Sequence, residues 1–461
     1  MKSIQNLLIT DIADEGRAVG KFNDLVVFVE KAVPGDVVNV HVFKKNKNFA
    51  EAFITEMVQP SAHRIEPFCE HFGICGGCKW QYLTYEQQLF FKQQQVTETL
   101  KRLAYISDVP TQNIIASAQT KYYRNKLEFT FSKVKWLTNE ERANQESDKV
   151  PALGFHIKGR FDKILNIDKC YLQDDLSNQI RNFVREFCIK HNYPFFDLKR
   201  QVGLMRNLII RNSSLGQWMV SVIFSEDVET NRNDLLEALH QKFSQITCLM
   251  YAINKKKNDS IYDLDFVLYA GNPYIEESLE GLVYRMGPKS FFQTNSSQAL
   301  TLYQVTRKFA QLTGKQIVYD LYTGTGTIAN FIAAQAQKVI GIEYVPSAID
   351  DARINASINN ISNTTFFAGD IKDMLTPDFF NQHGYPEVII TDPPRAGMHA
   401  KVVEMLNQSG AARIVYVSCN VATQARDIAL LAQNYKVAEI QPVDMFPHTH
   451  HVENVVLLLL K

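Results

Sequence analysis

Residues 319–327 read Tyr319-Asp320-Leu321-Tyr322-Thr323-Gly324-Thr325-Gly326-Thr327, between a short apolar run and a helical pattern. The two glycines let the backbone turn tightly and approach a ligand closely. Short β-rich apolar runs alternate with helical lengths in this part of the chain, at 317–319, 339–342, 388–390 and 414–417. This alternation predicts a parallel, doubly wound α/β sheet.

A carboxylate, Glu343, ends the predicted strand that follows the glycine turn. An acid at this position can accept hydrogen bonds from both hydroxyls of a ribose. The turn and the acid together fit either a dinucleotide or S-adenosylmethionine, and Ala329 stands where the dinucleotide pattern has its third small residue. For the glycines alone, a plain strand–helix turn is the structural alternative.

Two more acids follow predicted strands of this sheet. Asp370 comes one strand after Glu343, where an acid can lie near the adenine of a bound cofactor. Asp392 opens the stretch Asp392-Pro393-Pro394-Arg395, whose prolines stiffen the exit from the strand. We therefore expect its side chain at the carboxyl edge of the sheet, where ligands of such folds bind.

A cysteine, Cys419, follows the next strand in Val417-Ser418-Cys419-Asn420. An isolated cysteine is more often a small buried residue than a reactive thiol. Cys419, however, shares a sheet edge with the glycine turn and Asp392, and this context favours a reactive thiol.

The segment 444–454 near the C-terminus is rich in titratable groups, namely Asp444, His448, His450, His451 and Glu453. Histidine and glutamate are good zinc ligands, so a metal site is one alternative for this segment. The ligand spacing typical of a structural zinc site is missing. Glu453 as a general base is the interpretation that its chemistry with Cys419 favours.

The chemistry of uracil explains why these groups belong together. Carbon 5 of uracil is a poor nucleophile, but a thiolate that adds to carbon 6 creates an enolate, and carbon 5 can then attack a methyl group. A base must next remove the proton from carbon 5. Cys419, Glu453 and S-adenosylmethionine fill these roles, and Arg395 is the nearest candidate for the positive charge that favours a thiolate.

At this point the chain resembles the RNA uracil-5-methyltransferases that modify 23S ribosomal RNA and transfer RNA. The matching segments occur in family order: Phe291-Phe292-Gln293-Thr294-Asn295, the glycine turn, Asp392-Pro393-Pro394-Arg395, Ser418-Cys419-Asn420 and His450-His451-Val452-Glu453. The resemblance implies a Rossmann-like class I methyltransferase domain, with Cys419 as nucleophile and Glu453 as base. It also implies that six residues line the cofactor pocket: Gln293, Tyr322, Thr327, Glu343, Asp370 and Asp392. Val421 and Thr327 depart from the family pattern, which often has Pro and Asn there.

Three cysteines, Cys69, Cys75 and Cys78, crowd together, and their spacing resembles the iron–sulfur motif of the ribosomal RNA branch of this family. The resemblance implies Cys170 as the fourth ligand. Four thiolates can hold a [4Fe–4S] cluster or a zinc ion, and the resemblance favours the cluster in a structural role. Cys188 and Cys248 are expected in the core.

Short β-rich runs with turn signals over residues 1–60 predict a small β-barrel of the oligonucleotide-binding type. It resembles the RNA-binding barrel of TRAM type that precedes the cluster in the same branch. Further along, Lys121-Tyr122-Tyr123-Arg124-Asn125-Lys126 interleaves cations with aromatics, a pattern suited to RNA. Arg124 and Lys126 are expected to contact RNA near a uracil flipped out of a loop or single strand.

The length of 461 residues allows two or three domains. We expect the small barrel at 1–60, a mixed α+β part with the cysteines at 61–290, and the methyltransferase domain at 291–461. The helical stretch 81–104 is expected to pack on the methyltransferase domain. Lys+Arg and Asp+Glu both count 49, so attraction to RNA must come from local basic patches. We expect neither a signal peptide nor a membrane span, which predicts a cytoplasmic protein, and a monomer.

The predicted activity is methylation of carbon 5 of a uridine in 23S ribosomal RNA. Transfer RNA is the alternative substrate. An NAD-dependent oxidoreductase and a non-catalytic RNA-binding protein are the alternatives from other classes.

Overall fold

The computed structural model describes residues 2–145, 147 and 150–461. Its N-terminal part is a closed barrel in which the strands follow the order β1-β2-β3-β5-β4. The five strands are β1 (Ser3–Ala13), β2 (Arg17–Phe22), β3 (Leu25–Glu30), β4 (Val37–Lys45) and β5 (Phe49–Gln59). Successive side chains of a strand point to opposite faces, so Val38, Val40 and Val42 of β4 enter the barrel interior while His41 points outward.

A cysteine-rich loop leads from the barrel to the long helix α1 (Tyr85–Leu103). One stripe of this helix is apolar, and its Val96 and Leu100 are buried in the same hydrophobic cluster as Tyr319 and Tyr416 of the C-terminal sheet. The helix therefore packs on a sheet whose strands come more than two hundred residues later in the chain.

The central part is built on a mixed seven-stranded sheet of order β12-β11-β10-β9-β6-β7-β8. Its strands are β6 (Lys126–Ser132), β7 (Ala152–His156), β8 (Ile164–Asn166), β9 (Met205–Asn212), β10 (Trp218–Phe224), β11 (Ile246–Ile253) and β12 (Phe266–Gly271). The helices in this part are α2 (Asn139–Ala143), α3 (Asp175–Lys190) and α4 (Glu229–Lys242). A hairpin of β13 (Ile275–Leu279) and β14 (Leu282–Met286) then leads to α5 (Ser296–Ala310).

The C-terminal sheet has seven strands in the order β17-β16-β15-β18-β19-β21-β20. These are β15 (Ile317–Leu321), β16 (Lys338–Glu343), β17 (Thr364–Ala368), β18 (Val388–Thr391), β19 (Arg413–Ser418), β20 (Tyr435–Val443) and β21 (Glu453–Leu460). The helices between them are α6 (Thr327–Ile332), α7 (Pro346–Ile358), α8 (Ile371–Met374), α9 (Pro377–His383), α10 (Ala400–Gln408) and α11 (Val421–Leu431). The first five strands are parallel, as the alternating pattern predicts, and β21 lies antiparallel between β19 and β20.

The strand order reverses at β15, because β16 lies on one side of it and β18 on the other. A crevice opens at such a switch point, outside the carboxyl ends of the strands. The glycine turn after β15 and Asp392 after β18 therefore meet at this edge of the sheet. Over the described residues, none of the helices is long and apolar enough to cross a membrane.

Candidate active site

Cys419 and Glu453 come from adjacent antiparallel strands at the same end of the sheet. The ladder between β19 and β21 runs from Arg413 opposite Leu459 to Ser418 opposite Asn454, so the next pair in register is Cys419 and Glu453. Asn420 then caps helix α11 by accepting a hydrogen bond from the Ala422 amide at 3.1 Å. Cys419 is thus held between a strand end and a helix cap, with a buried carboxyl group beside it.

Burial and neighbouring carboxylates set the protonation of this pair. Burial, reinforced by Glu453 and Asp392, raises the pKa of Cys419 to about 12, and the Arg395 guanidinium opposes this rise. Burial and Asp392 raise the pKa of Glu453 to about 8, again against Arg395. Arg395 is therefore the nearby cation that the sequence suggested. Its lowering of the two pKa values is smaller than the rise caused by burial, so the Cys419 thiol and the Glu453 carboxyl group both hold their protons at neutral pH.

The glycine turn leaves open space above its first glycine. Gly324 has a φ of +54°, and a Cβ added there would meet no atom within 4 Å. Its amide donates to Glu343 Oε2 at 3.2 Å, and the other oxygen of that carboxylate accepts from the Val345 amide at 3.0 Å. Gly326, with a φ of +72°, is packed instead, since its Cβ would lie 2.8 Å from that of Ala352. The turn is thus closed toward the core and open toward a ligand.

Asp320 holds this turn from below, although it is not among the site residues expected from the sequence. Its Oδ2 accepts hydrogen bonds from the Thr323 hydroxyl at 2.5 Å and from the Ala329 amide at 3.1 Å. Burial raises the pKa of Asp320 to about 7, and burial together with Asp320 raises that of Asp392 to about 7. An acid as the penultimate residue of the strand that enters a glycine turn is the signal that could have identified it.

The other residues assigned to the cofactor pocket surround the turn. Tyr322 directly follows β15 with a φ of +63°, and Thr327 is the first residue of α6, with its hydroxyl 3.2 Å from that of Thr325. Asp370 caps α8 and forms an ion pair with Lys372. It lies beside Glu343, because the amide of the preceding residue, Gly369, donates to the Glu343 carbonyl at 2.8 Å.

Gln293 lies in a segment that is tied to the proposed RNA-contacting residues. The side-chain amide of Asn125 donates to the Gln293 carbonyl at 2.9 Å, and the Asn125 backbone amide donates to the Thr294 carbonyl at 2.8 Å. Arg124 and Lys126, on either side of Asn125, are thereby placed next to the 291–295 segment. Thr325 of the glycine turn also donates to the Phe291 carbonyl at 3.4 Å, which joins the three segments.

A cleft of about 910 Å³ opens beside this site. Its lining includes Arg395, His450 and His451, which are close in sequence to Asp392 and Glu453. Cations outnumber acids along its wall, with Lys79, Arg124, Lys126, Lys158, Lys169 and Arg395 against Glu15 and Glu128. Burial lowers the pKa of His450 to about 3 and that of His451 to about 4, so both rings are neutral at pH 7. The positive wall suits a polyanion.

Comparison with known proteins shows the family to which the chain is related. The family model described as tRNA (Uracil-5-)-methyltransferase matches residues 211–461, and the TRAM domain model matches residues 2–55. An uncharacterized RNA methyltransferase of Bacteroides thetaiotaomicron is 56% identical over 98% of this chain and 100% of its own length. Another, from Chlorobaculum tepidum, is 37% identical over 98% of this chain and 95% of its own length.

The chain belongs to the tRNA (uracil-5-)-methyltransferase family. A solved structure, the Pyrococcus abyssi tRNA (uracil-54, C5)-methyltransferase in complex with S-adenosyl-L-homocysteine, matches 99% of this chain and 100% of that one. The TM-score is 0.77 and the sequence identity 27%. The expected fold class, a TRAM barrel followed by mixed α/β parts and a Rossmann-like methyltransferase domain, is confirmed.

Membership in the uracil-5-methyltransferase family also confirms that the chain is an RNA methyltransferase. Family membership therefore excludes the two alternatives from other classes, an NAD-dependent oxidoreductase and a non-catalytic RNA-binding protein. The descriptions of these matches name neither 23S ribosomal RNA nor an iron–sulfur cluster, so both stay predictions.

The four cysteines that were expected to bind a cluster line the basic cleft described above. Cys69, Cys75, Cys78 and Cys170 all belong to its wall, on the side of the central sheet. Cys188 and Cys248 are fully buried in the core, as expected. Within the described residues, no group of three or more His, Cys, Asp or Glu side chains could hold a metal ion.

Proposed function

We propose that this methyltransferase transfers a methyl group from S-adenosylmethionine to carbon 5 of a uridine in RNA, with Cys419 as nucleophile and Glu453 as general base. The observation that carries the proposal is the register of β19 and β21, which puts the thiol and the carboxyl group side by side at the end of the sheet. A half-buried thiol and a buried carboxyl group with raised pKa values, next to an open glycine turn, are typical of a reaction site.

The residues at the glycine turn fit S-adenosylmethionine. The space over Gly324 is open, Glu343 stands where a ribose diol would be bound, and Asp392 offers negative charge at the switch point. A cationic sulfonium compound is favoured by such an acidic surrounding. When bound, the cofactor supplies an electrophilic methyl group. The S-adenosyl-L-homocysteine in the Pyrococcus abyssi structure supports this choice.

The proposed reaction uses each residue once. Once its thiol proton has passed to solvent, the sulfur of Cys419 forms a bond to carbon 6 as a thiolate, and the electrons of the C5–C6 double bond move onto the ring as an enolate. Carbon 5 would then form its bond to the methyl group while the bond between that methyl group and the cofactor sulfur breaks, with S-adenosylhomocysteine as the leaving group. The carboxylate of Glu453 takes the proton from carbon 5, the double bond returns, and the bond between carbon 6 and the sulfur breaks, which regenerates the thiolate.

The basic cleft is the proposed path of the RNA to this pair. A uracil must leave its stack to reach a thiol at a strand end, so a loop or single-stranded segment is the expected substrate. Arg124 and Lys126 line the cleft, and Asn125 between them is bonded to the cofactor-side segment. We propose that these two cations bind phosphates beside the flipped base.

The nucleophile is tested with Cys419→Ala, which should lose methyl transfer while keeping cofactor affinity. Cys248→Ala is the matched control, since that cysteine is buried in the core away from the site. RNA that carries 5-fluorouridine at the target offers fluorine where Glu453 would remove a proton, so the wild type should form a stable covalent adduct. Glu453→Gln should accumulate the same adduct on normal RNA. Full activity of Cys419→Ala would end the proposal.

The RNA substrate is proposed to be 23S ribosomal RNA, with transfer RNA as the alternative. The cysteine set supports the ribosomal choice through the resemblance stated above. The Pyrococcus abyssi relative supports the alternative, because its name gives transfer RNA as its substrate. That structure matches 99% of this chain, including the barrel, so the presence of a barrel does not distinguish a ribosomal RNA substrate from a transfer RNA substrate. Mapping 5-methyluridine in both RNA classes, in cells with and without this protein, decides between them.

We propose a [4Fe–4S] cluster on Cys69, Cys75, Cys78 and Cys170. Burial and the neighbouring thiols of Cys170, Cys75 and Cys69 raise the pKa of Cys78, so the four side chains are close enough to interact. In a four-iron cluster each of the four thiolates binds one iron. The shared cleft wall of the four cysteines supports this arrangement. The cluster would join the cysteine-rich loop to the central sheet.

A further inference from the structure

A completely buried carboxylate that the proposed reaction does not use, Glu277, lies in strand β13 of the hairpin. Among the described residues, its hydrogen bonds all come from neutral donors, which are supplied by Ser214, Ser278 and Ser296. A buried charge is costly unless its oxygens are hydrogen-bonded, and a buried network in which they are bonded is rigid. The network around Glu277 therefore fixes the segments that supply its donors.

Glu277 joins the central sheet to the start of helix α5. Its Oε1 accepts hydrogen bonds from the Ser278 amide at 3.0 Å and from the Ser214 amide at 3.1 Å, and also from the Ser214 hydroxyl. Ser214 lies in the turn between β9 and β10. Its Oε2 accepts from the hydroxyl of Ser296, the first residue of α5, at 2.5 Å. One carboxylate thus holds two elements that are far apart in the sequence.

Ser296 extends this network to Asn125, which stands between the two cations of the cleft wall, Arg124 and Lys126. The side-chain amide of Asn125 donates to Ser296 Oγ at 2.9 Å and to the Gln293 carbonyl at 2.9 Å. A hydroxyl has a single proton, so Ser296 accepts from Asn125 because it gives its own proton to the carboxylate. Glu277 therefore orients Asn125 through Ser296.

The first turn of α5 is also tied to the loop that precedes Glu453. The side-chain amide of Asn295 donates to the Met445 carbonyl at 2.9 Å, and that of Gln298 donates to the Asp444 carbonyl at 2.8 Å. The start of α5 thus contacts the segment of the proposed RNA contacts, the segment of Gln293 and the loop before the proposed base. A displacement of this turn would move all three relative to one another.

We propose that Glu277 is a positioning residue for methyl transfer, which acts through Ser296 on Asn125. The inference rests on the proposed function, because Arg124 and Lys126 are the proposed phosphate contacts and Gln293 lies in the segment assigned to the cofactor. Two reacting atoms must be held about 3–3.5 Å apart and aligned, and a displacement of about 1 Å can lower the rate about 100-fold. Glu277 contacts neither reactant and sets the distance between the segments that hold them.

The first test compares Ser296→Ala with Ser296→Thr, which keeps the hydroxyl. The assay follows transfer of a radiolabelled methyl group from S-adenosylmethionine to RNA isolated from cells that lack this protein. Ser296→Ala should lower the rate at saturation by about tenfold or more, while the half-saturating concentrations of both substrates change by less than about twofold. Ser296→Thr should recover the rate. Ser297→Ala, at the exposed next position of α5, is the matched control.

The second readout requires no methyl transfer. The backbone amide of Asn125 donates to the Thr294 carbonyl at 2.8 Å, and its hydrogen exchange reports how firmly the two segments are joined. This amide should exchange faster in Ser296→Ala and normally in Ser296→Thr and Ser297→Ala. A merely structural role would lower the melting temperature of Ser296→Ala without slowing transfer by the folded protein, and would overturn the proposal.

Glu277→Gln tests the origin of the relay, because glutamine fills the same volume but places an N–H group where Ser296 needs an acceptor. If both residues act along one path, Glu277→Gln/Ser296→Ala should be no slower than the slower single variant, whereas multiplied effects would overturn the relay. An unchanged rate and unchanged exchange in Ser296→Ala would overturn it as well. Failure of the wild type to form 5-methyluridine would instead reject the proposed function, so the two failures are distinguishable.

Discussion

The ammonium group of Lys92 lies 2.6 Å from the carboxylate of Asp444, and both side chains are completely buried. Lys92 belongs to α1, and Asp444 begins the loop that leads to Glu453. The same ammonium donates to the Phe446 carbonyl at 3.1 Å, and the hydroxyl of Tyr85 donates to the second oxygen of Asp444 at 2.8 Å. An early helix thus holds the loop that precedes the proposed base.

Lys92→Met should destabilise the protein by about 3–5 kcal/mol, because it leaves the buried carboxylate of Asp444 without its ion-pair partner. Lys101→Met, at an exposed position of the same helix, should change stability little. The measurement is the melting temperature together with the methyl transfer rate. Replacing both partners, as in Lys92→Met/Asp444→Leu, should recover part of the stability but not the rate, since the loop before Glu453 loses its anchor. Equal melting temperatures of Lys92→Met and Lys101→Met would contradict the anchor.

Glu453→Gln should stabilise the protein, and the gain should grow with pH. The pKa of Glu453 is about 8 in the folded chain against 4.5 for an ordinary glutamate, so between these values the folded chain keeps a proton that the unfolded chain has lost. Stability therefore falls as pH rises through this window, whereas glutamine has no proton to lose. At pH 7 to 8 the gain should reach roughly 1–3 kcal/mol, and it should vanish near pH 4.5. Glu404→Gln, at an exposed position, serves as control, and a gain that does not depend on pH would contradict the raised pKa.

Gly324→Ala and Gly326→Ala should separate ligand binding from stability. Both positions have a left-handed φ, which costs a side chain about 1 kcal/mol. The new methyl group at 326 also collides with Ala352, adding about 1–3 kcal/mol, whereas at 324 it enters the open space above the turn. Calorimetric titration with S-adenosylmethionine and a melting curve check both. Gly324→Ala should mainly lose affinity and Gly326→Ala should mainly lose melting temperature; the reverse pattern would place the ligand elsewhere.

The rate of methyl transfer should rise with pH through and beyond 8, because Glu453 accepts a proton only when it is ionised and the Cys419 thiol loses its proton only at higher pH. Arg395→Gln removes the cation that lowers the pKa of both Glu453 and Cys419, so the rising limb should move to higher pH. Single-turnover rates across the pH range give this limb directly. Lys436→Gln, an exposed cation on β20, should leave the limb in place. A profile of Arg395→Gln that coincides with the wild type would show that this guanidinium does not act on the pair.

Anaerobically purified protein should contain about four irons per chain if the cysteine assignment is correct. Cys170→Ser should lose most of this iron, because Cys170 is the ligand that the central part contributes. Cys248→Ala, a core cysteine outside the cleft, should keep it. Iron and zinc are both measured by mass spectrometry. Zinc without iron would refute the cluster.

Patterns between close neighbours along the chain were enough to predict the strands of the C-terminal sheet and the residues at their ends. The apolar runs before the glycine turn, Asp392 and Cys419 became β15, β18 and β19 because strand formation is governed by local periodicity and turn residues. The role of Asp320 could not be predicted in this way. Its role depends on hydrogen bonds to Thr323 and Ala329, which form only when the turn has folded over it.

The sequence by itself determined which residue types are present for the chemistry: a thiol, a carboxylate and a glycine turn, each at the end of a strand. Only the tertiary structure decided that Glu453 is the neighbour of Cys419, because β21 inserts antiparallel between β19 and β20. It also decided that Lys92 meets Asp444. The physical reason is that these relations depend on which distant segments pack side by side, and that choice is made by burial and strand pairing over the whole chain.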